Sequence, residues 1–189
     1  MSENRKVLLQ AALEVFRENG YERTTVRGIA DRAGIPLSTL YAHIESKEKL
    51  FLELVQPVID RPLATMREIT ESDMTTLEKL RAAIVRAAAP YDEYFPELFM
   101  YFNDFYPALD RVEPGPRQEY EQHWLTIITD GIEEGVIRSD IDPLLVMYGT
   151  LGMIAWMHKW YSGHEGHTAT QIGEQYADMV IDGLTTRAR

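Results

Sequence analysis

Apolar residues recur every three to four positions along most of the chain. In the first segment Leu9, Ala12, Leu13 and Phe16 share one face of a helix at this spacing. Similar stripes follow in shorter segments up to residue 58 and in longer segments beyond it. No stretch of strand length alternates apolar and polar residues. The pattern predicts an all-α protein of about nine helices.

Helix caps and breakers divide this pattern into elements. Asn19-Gly20 ends the first predicted helix, and Gly34 allows a sharp turn between two short ones. Two later helices begin with the capping-box pattern, a threonine followed three residues later by Glu or Gln: Thr75 with Glu78, and Thr168 with Gln171. Three prolines are expected to break the aromatic-rich segment 91–106: Pro90, Pro96 and Pro107. We predict an N-terminal domain over residues 1–46 and a C-terminal helical domain over residues 47–189.

Charge is distributed unevenly between these two parts. The net charge of the chain is −11, which by itself disfavours nucleic acid as a partner. Residues 1–56, however, hold eight Lys/Arg and eight Asp/Glu, so the acidic excess lies entirely in residues 57–189. A neutral N-terminal domain still binds DNA when its cations face one side, and the acidic body weakens non-specific binding.

Composition also limits the cellular location and the kinds of reactive site that we expect for this protein. The chain has no cysteine, which excludes disulfides, zinc-thiolate sites and cysteine nucleophiles. The N-terminus lacks the apolar core of a signal peptide. The longest apolar stretch, about 15 residues from Pro143 to Met157, is too short to span a membrane. We therefore expect a soluble cytoplasmic protein with no membrane partner.

Residues 24–51 carry the strongest functional pattern. Two short amphipathic helices joined by a glycine turn are too small to be stable alone, so we expect them to pack against the first helix. The second short helix then presents its outer face to a DNA major groove about 12 Å wide. That face carries hydrogen-bonding groups flanked by cations: Ser38, Thr39, Tyr41 and His43, with Arg27 and Lys47. The pattern predicts a helix-turn-helix DNA-binding domain.

This segment closely resembles the TetR family of transcriptional regulators. The resemblance covers roughly residues 7–55 and includes Thr25-Val26-Arg27, Ile29-Ala30, Ala33-Gly34, Thr39-Leu40-Tyr41, His43 and Ser46-Lys47-Glu48. The chain departs from the family pattern at Pro36, where a Ser or Thr often caps the recognition helix, and at Ile44, where phenylalanine is usual. Leu37 is apolar at a position that often reads bases. The resemblance implies a dimeric, ligand-responsive repressor with an all-α fold.

The resemblance also assigns DNA-binding roles to individual residues. It implies that phosphates are held by Thr25, Thr39, Tyr41, His43 and Lys47. It places Arg27, Leu37 and Ser38 near base edges, with Pro36 at the start of the recognition helix. Two such domains in a dimer would bind a near-palindromic double-stranded operator with half-sites roughly 34–36 Å apart, about one DNA turn.

The last two predicted helices are unusually apolar and contain small residues that let helices approach closely. By resemblance they form a symmetric four-helix interface between two copies of the chain. The predicted interface residues are Leu144, Tyr148, Leu151, Gly152, Ala155, Gly173, Ala177 and Val180. Packing within one chain produces the same pattern, and part of each helix must serve that purpose.

Aromatic and methionine residues are concentrated in the C-terminal part. Such residues line apolar ligand sites and also fill ordinary cores. Because TetR-type regulators generally hold an effector cavity in this region, the resemblance favours a pocket for a small hydrophobic effector. The predicted lining is Phe99, Phe102, Tyr106, Trp124, Met153, Trp156, Met157 and Trp160.

Two effector classes fit this interpretation. The C-terminal pattern around Trp124, Gly131, Gly135, Trp160 and Tyr176 is similar to that of regulators responding to acyl-CoA thioesters from fatty-acid or sterol breakdown. Lys159 or Arg86 near the mouth of the cavity would suit the anionic head of such a ligand. The alternative is a hydrophobic drug or metabolite sensed by a repressor of an efflux pump.

Two further classes of protein are disfavoured. An architectural DNA-binding protein without a ligand is usually basic, whereas this chain is acidic. The sequence contains no phosphate-binding loop and no serine elbow, so we expect neither an enzyme nor a cofactor. His164 and His167 lie three positions apart in a glycine loop, whereas the HExxH zinc motif needs two histidines four apart on a helix. We expect no metal site.

Overall fold

The computed structural model describes residues 3–105, 115–161 and 166–185. The helices in these ranges are α1 (Glu3–Arg23), α2 (Val26–Ala33), α3 (Leu37–Tyr41), α4 (Lys47–Thr70), α5 (Thr76–Ala88), α6 (Tyr91–Met100), a π-helical turn (Tyr101–Phe105), α7 (Gly115–Glu133), α8 (Pro143–Ala155), α9 (Met157–Trp160) and α10 (Ala169–Leu184). Only Trp156, itself in a helical conformation, separates α8 from α9. The described ranges contain one isolated antiparallel bridge, between Ile137 and Thr185, and no strand. The predicted all-α fold is confirmed.

Glycines and capping side chains end and begin the helices where the sequence predicts. Gly20 interrupts the helical backbone of α1 with φ 74° and ψ 168°, and Gly34 ends α2 with φ 67° and ψ 28°. Both positions lie in regions that a residue with a Cβ rarely adopts. The capping boxes at the starts of α5 and α10 are also present, formed by Thr75 with Glu78 and by Thr168 with Gln171.

The aromatic-rich segment is interrupted next to Pro96. α6 joins two helical pieces across a kink at Tyr94, two residues before Pro96, so the predicted break is present as a kink. The backbone leaves helical values there, with φ −118° and ψ 29°. A proline removes one N–H and crowds the carbonyl of the preceding turn, and a single distorted residue absorbs that conflict. The other predicted breaker in this part, Pro107, lies outside the described residues.

The described residues form two compact units. The first comprises residues 3–59 and 96–105, and the second comprises residues 60–95, 115–161 and 166–185. The unit that contains α1–α3 is therefore larger than residues 1–46, and the domain boundary after residue 46 stays a prediction.

In the first unit, α1 packs against α2 and against the π-helical turn, and α2 packs against α3. Phe16, Tyr21 and Phe51 form a ring cluster with centroid separations from 5.0 to 6.0 Å. This cluster joins α1 to α4, while Ile29 of α2 and Leu40 of α3 are fully buried. The short helices thus obtain from their neighbours the apolar contacts that they lack alone.

In the second unit, α5 packs against α7, α8 and α10. Gly173 of α10 lies directly on α5, since a Cβ at this position would be 3.0 Å from both the Cβ of Ala88 and the Cα of Val85. Arg81 of α5 adds ion pairs of 2.9 and 2.6 Å to Glu174 and Asp178 of α10. No helix among the described residues is long and apolar enough to cross a bilayer.

Asp92 links the start of α6 to the start of α10. Its Oδ1 accepts hydrogen bonds from the Tyr161 hydroxyl and from the N–H of Ala169, the latter at 2.8 Å. Its Oδ2 accepts from the N–H of Thr170 at 3.4 Å. Burial by itself raises the pKa of the Asp92 carboxyl, but the hydrogen bonds from Tyr161, Ala169 and Thr170 outweigh it, so the pKa is lowered.

We expect Asp92→Asn to lower the free energy of unfolding at pH 7 by about 1–2 kcal/mol, because the first turn of α10 loses its anionic cap. The folded-state pKa lies below the unfolded one, so this stabilisation is present above the ordinary Asp pKa and is lost as pH falls through the folded value. Denaturant unfolding of both proteins, at neutral pH and at about pH 3, measures the difference in their free energies of unfolding. Asp182→Asn is the control, because Asp182 is an exposed residue of α10. A difference that stays constant down to the lower pH would contradict this role.

Candidate DNA-binding face and effector-binding residues

The turn before α3 positions that helix. Thr25 caps α2 through its Oγ1, which accepts a hydrogen bond from the N–H of Gly28 at 3.1 Å. The left-handed conformation of Gly34 then redirects the chain, and the N–H of Ile35 returns to the carbonyl of Ala30 at 3.1 Å. Pro36 is the N-cap residue of α3 and makes no side-chain capping hydrogen bond, because its ring carries no acceptor oxygen. Because Leu40 is fully buried, the opposite face of α3 points outward.

Most predicted DNA-binding residues lie on this outward surface. Tyr41 is 57% exposed. Thr25, Arg27, Pro36, Ser38 and Thr39 are also exposed, while Leu37 and His43 are half-buried. The Thr25 hydroxyl accepts the capping hydrogen bond and keeps its own proton for donation to a phosphate. The surface therefore presents donors on two adjacent short helices.

The two arginines of α2 differ in how far their charge is neutralised. Arg32 forms ion pairs with Glu14 and Glu18 of α1 at 3.1 and 2.6 Å. Arg27 is exposed and has no carboxylate partner among the described residues. Arg27 is therefore the cation of α2 whose charge acts most directly on a DNA phosphate or base.

Two cations hold the ends of the α3 segment in place. Arg5 of α1 donates to the backbone carbonyl of His43 at 2.8 Å and to the carboxylate of Glu53 at 2.5 Å. The ammonium of Lys47 donates to the carbonyls of Tyr21 and Thr24 at 2.9 and 3.1 Å and lies 4.2 Å from the centroid of the Tyr21 ring. Lys47, expected to hold a phosphate, thus has two of its three N–H donors in contact with α1 and the α1–α2 turn.

We expect Lys47→Ala to lower the free energy of unfolding by about 1.5–3 kcal/mol, because two partly buried carbonyls lose a charged donor. Operator affinity should fall as well, since the α1–α2 turn and the start of α4 are no longer joined. Denaturant unfolding and DNA titration measure the two effects. Lys49→Ala is the matched control, because the Lys49 ion pair with Glu45 is exposed and contributes less than about 1 kcal/mol. Equal losses of stability in the two variants would refute a positioning role for Lys47.

The predicted pocket residues fall in both units. In the first unit Phe99 and Phe102 are half-buried. In the second unit Trp124 and Met157 are fully buried and Met153 is half-buried, whereas Trp156 and Trp160 are 60% and 41% exposed. Tyr106 lies outside the described residues. Trp124 is therefore a core residue, whereas Trp156 and Trp160 lie at the surface of the described chain.

Trp124 has an unusual polar environment. Its side chain is fully buried, and its indole N–H makes no hydrogen bond of standard geometry among the described residues, although the Tyr120 hydroxyl lies near enough to interact with it. The Tyr120 ring packs against it edge-on, with centroids 6.3 Å apart. A buried donor without a partner costs about 1–3 kcal/mol, so a ligand oxygen that accepts from it would gain affinity.

The predicted interface residues divide by burial. Leu144 and Tyr148 are 44% and 47% exposed, and Gly152 is exposed as well. Leu151, Ala155 and Val180 are half-buried, whereas Gly173 and Ala177 are buried within the chain, as the single-chain alternative requires. Leu145, which belongs to the same apolar run as Leu144, is 69% exposed, and Met179, which sequence reasoning missed, is 64% exposed. Both lie on the predicted interface helices, but only the packing on α5 shows which helix face remains outside.

A cleft of about 260 Å³ lies on the second unit, between residues of α4 and the α5–α6 region. Its lining includes Arg61, Pro62, Arg86, Ala89, Pro90 and Glu93. Arg86 was predicted for the anionic part of a ligand, whereas Arg61 was not, because the two lie far apart in the sequence. The residues that the structure describes include no cluster of three or more potential metal ligands. His164 and Glu165 of the glycine loop lie outside those residues.

Known proteins share both the sequence and the fold of this chain. The family models "Bacterial regulatory proteins, tetR family" and "Tetracyclin repressor-like, C-terminal domain" match residues 8–54 and 73–184. The HTH-type transcriptional repressor KstR2 of Mycobacterium tuberculosis (strain ATCC 25618 / H37Rv) is 32% identical, over 98% of this chain and 94% of that protein. The structure of the ketosteroid transcriptional regulator KstR2 of Mycobacterium tuberculosis has a TM-score of 0.91 at 29% identity, covering 99% of this chain and 97% of that one.

A more distant structure shares the fold. AibR in complex with isovaleryl coenzyme A and operator DNA has a TM-score of 0.74 at 21% identity, covering 97% of this chain and 98% of that one. The two family models together span most of the described helices, and the glycine turn, the buried Leu40 and the exposed face of α3 form the expected helix-turn-helix. The chain therefore belongs to the TetR family of bacterial transcriptional regulators.

Proposed function

We propose that this regulator is a dimeric repressor that binds a near-palindromic operator and is released by an acyl-CoA thioester with a steroid-derived acyl group. The observation that carries the DNA-binding part is the exposed face of α3, with Ser38, Thr39 and Tyr41, beside the unpaired Arg27. These groups donate hydrogen bonds from a helix whose other side is fixed by Leu40. A protein of this kind acts in the cytoplasm, where bacterial DNA lies.

Within this proposal the DNA-binding residues have different tasks. Thr25, Thr39, Tyr41 and His43 contact phosphates and set the position of the protein on the duplex. Arg27, Leu37 and Ser38 approach base edges and set sequence preference, with Leu37 packing on a thymine methyl group. Lys47 acts through Tyr21 and Thr24, and its remaining N–H points to a phosphate.

The dimer interface is formed by the exposed apolar residues of α8 and α10. Leu144, Leu145, Tyr148 and Met179 are each between 44% and 69% exposed. Burying such side chains against a second copy contributes roughly 25 cal/mol per Å² of apolar surface. The resulting pair places two α3 helices on one operator.

Two observations support the effector class. A solved structure that matches nearly the whole chain is that of a ketosteroid transcriptional regulator, and a more distant fold neighbour is seen in complex with isovaleryl coenzyme A. The buried indole N–H of Trp124 offers a donor to an oxygen of a ring system that is otherwise apolar.

Effector binding releases DNA by shifting a conformational equilibrium. In the first unit, the π-helical turn after α6 packs against α1, the helix that also supports α2. A ligand that moves Phe99 or Phe102 therefore acts on the helix-turn-helix through α1. A preference of about 3 kcal/mol for the released conformation weakens operator binding on the order of 100-fold.

Fluorescence anisotropy of DNA from directly upstream of the gene tests the proposal, at physiological salt and with excess competitor DNA. The titration is repeated with 3-oxochol-4-en-24-oyl-CoA, with palmitoyl-CoA and with CoA alone. We expect competitor-resistant binding that the steroid thioester releases at the lowest concentration. Release by palmitoyl-CoA at lower concentration would refute the steroid class, and release by neither thioester would refute the thioester class. Absence of specific binding there and at other candidate operators would refute the repressor.

A further inference from the structure

Arg61 and Arg86 bring two positive charges together in the acidic part of the chain. Residues 57–189 hold twice as many acidic as basic residues, yet these two arginines line one small cleft. The other lining residues are mostly apolar, with Pro62, Ala89 and Pro90 beside Thr65, and Glu93 is the acidic residue of the lining. Two guanidinium groups beside largely apolar side chains form a suitable environment for an anion attached to an organic group.

The ion pairs of these arginines are long compared with others in the same unit. Arg61 lies 3.6 Å from Glu93, and Arg86 lies 3.5 Å from Glu68. These distances exceed the 2.7–3.2 Å typical of an N–H···O hydrogen bond. Neither arginine makes a side-chain hydrogen bond within the described ranges. Their N–H donors are therefore available to a ligand.

Two other arginines, one on α4 and one on α5, form close ion pairs. Arg67 of α4 forms two hydrogen bonds to Glu119 at 2.6 and 2.8 Å. Arg81 of α5 contacts Glu174 and Asp178 at 2.9 and 2.6 Å. Both are fully engaged with carboxylates, whereas the cleft pair is held loosely, with Arg61 lying 5.4 Å from the Tyr94 ring.

We propose that Arg61 and Arg86 bind the phosphate groups of the CoA thioester, at a site distinct from the apolar residues that take its acyl group. Arginine guanidinium groups bind phosphate oxygens through paired N–H donors. The cleft volume of about 260 Å³ lies below the roughly 300–1,000 Å³ of a site for a whole drug-sized ligand, so it fits a head group and not the complete thioester. Glu93 and Glu68 lose their loose ion pairs when the phosphates bind. This inference rests on the proposed function, since it assigns the head group of that effector.

The test compares two double variants, each removing two positive charges from α4 and α5. Arg61→Gln with Arg86→Gln removes the cleft pair, and Arg67→Gln with Arg81→Gln removes the engaged pair as the matched control. Release of operator DNA is titrated with the steroid CoA thioester and with the pantetheine thioester of the same acid, which lacks the phosphates. Thermal unfolding and operator affinity without effector are measured for all proteins.

We expect the cleft variant to need at least about 10-fold more CoA thioester for half-maximal release, with no change for the pantetheine thioester. The control variant should respond to both thioesters as the unmodified protein does. An equal shift for both thioesters, or no shift, in the cleft variant would overturn the phosphate site while leaving the proposed function intact. If the unmodified protein is released by neither thioester, both the site and the proposed effector are wrong.

Discussion

Tyr41→Ala is expected to weaken operator binding about 10- to 100-fold while leaving the free energy of unfolding within about 0.5 kcal/mol of the original. The side chain is 57% exposed on the outward face of α3, so its removal costs little packing. On DNA the same side chain would contribute a phosphate hydrogen bond and contact with a groove wall. Anisotropy titrations with operator and with unrelated DNA, together with denaturant unfolding, measure both effects.

Tyr41→Phe separates the two contributions of this residue. If the hydroxyl bonds a phosphate, the phenylalanine variant loses most of the affinity on all sequences; if the ring contacts a base methyl group, it retains affinity. Arg32→Ala is the charge control, because Arg32 is already paired with Glu14 and Glu18. Unchanged operator affinity in Tyr41→Ala would show that the outward face of α3 does not enter the groove.

Trp124→Ala is expected to lower the free energy of unfolding by about 3–5 kcal/mol, because a fully buried indole is replaced by a cavity. For a chain of this length the melting temperature should fall by roughly 6–20 °C. Thermal unfolding followed by circular dichroism measures the change. Trp156→Ala is the matched control in the same unit, since Trp156 is 60% exposed and its loss should cost less than about 1 kcal/mol.

Trp124→Phe tests the ligand role with a smaller loss of packing. It removes the unpaired N–H, so the folded protein without effector is expected to lose less stability than the alanine variant. Its half-maximal release by a steroid thioester should require about 5- to 10-fold more ligand. Release at an unchanged concentration would show that the indole N–H does not bind the effector.

The sequence by itself predicts the main helices, because apolar periodicity and capping residues are local features of the chain. The periodic stripe from Leu9 to Phe16 predicts α1, and the threonines at positions 75 and 168 predict the first turns of α5 and α10. The kink before Pro96 has the same local origin: the proline lacks an N–H and crowds the preceding turn, and the backbone leaves helical values at Tyr94.

The outward face of α3 was also predictable from the sequence. One buried position, Leu40, and the left-handed turn at Gly34 determine which side of so short a helix faces solvent. The binding partners of the cations on the neighbouring helices were not predictable from the sequence. Lys47 reaches the carbonyls of Tyr21 and Thr24, and Arg32 reaches two carboxylates of α1, because separate helices come together in the folded unit.

The amino-acid sequence alone determined the helical class and the positions of the caps, since helix period and capping are short-range properties, and its side-chain chemistry predicts which residues contact DNA. Only the tertiary structure decided which residues of α8 and α10 are covered: Gly173 lies on α5 and Ala177 is buried, while Leu145 and Met179 remain exposed. It also brought Arg61 and Arg86 to one cleft from different helices. Both outcomes depend on packing between segments distant in the chain, and a periodic pattern shows that a helix has an apolar face without showing what covers it.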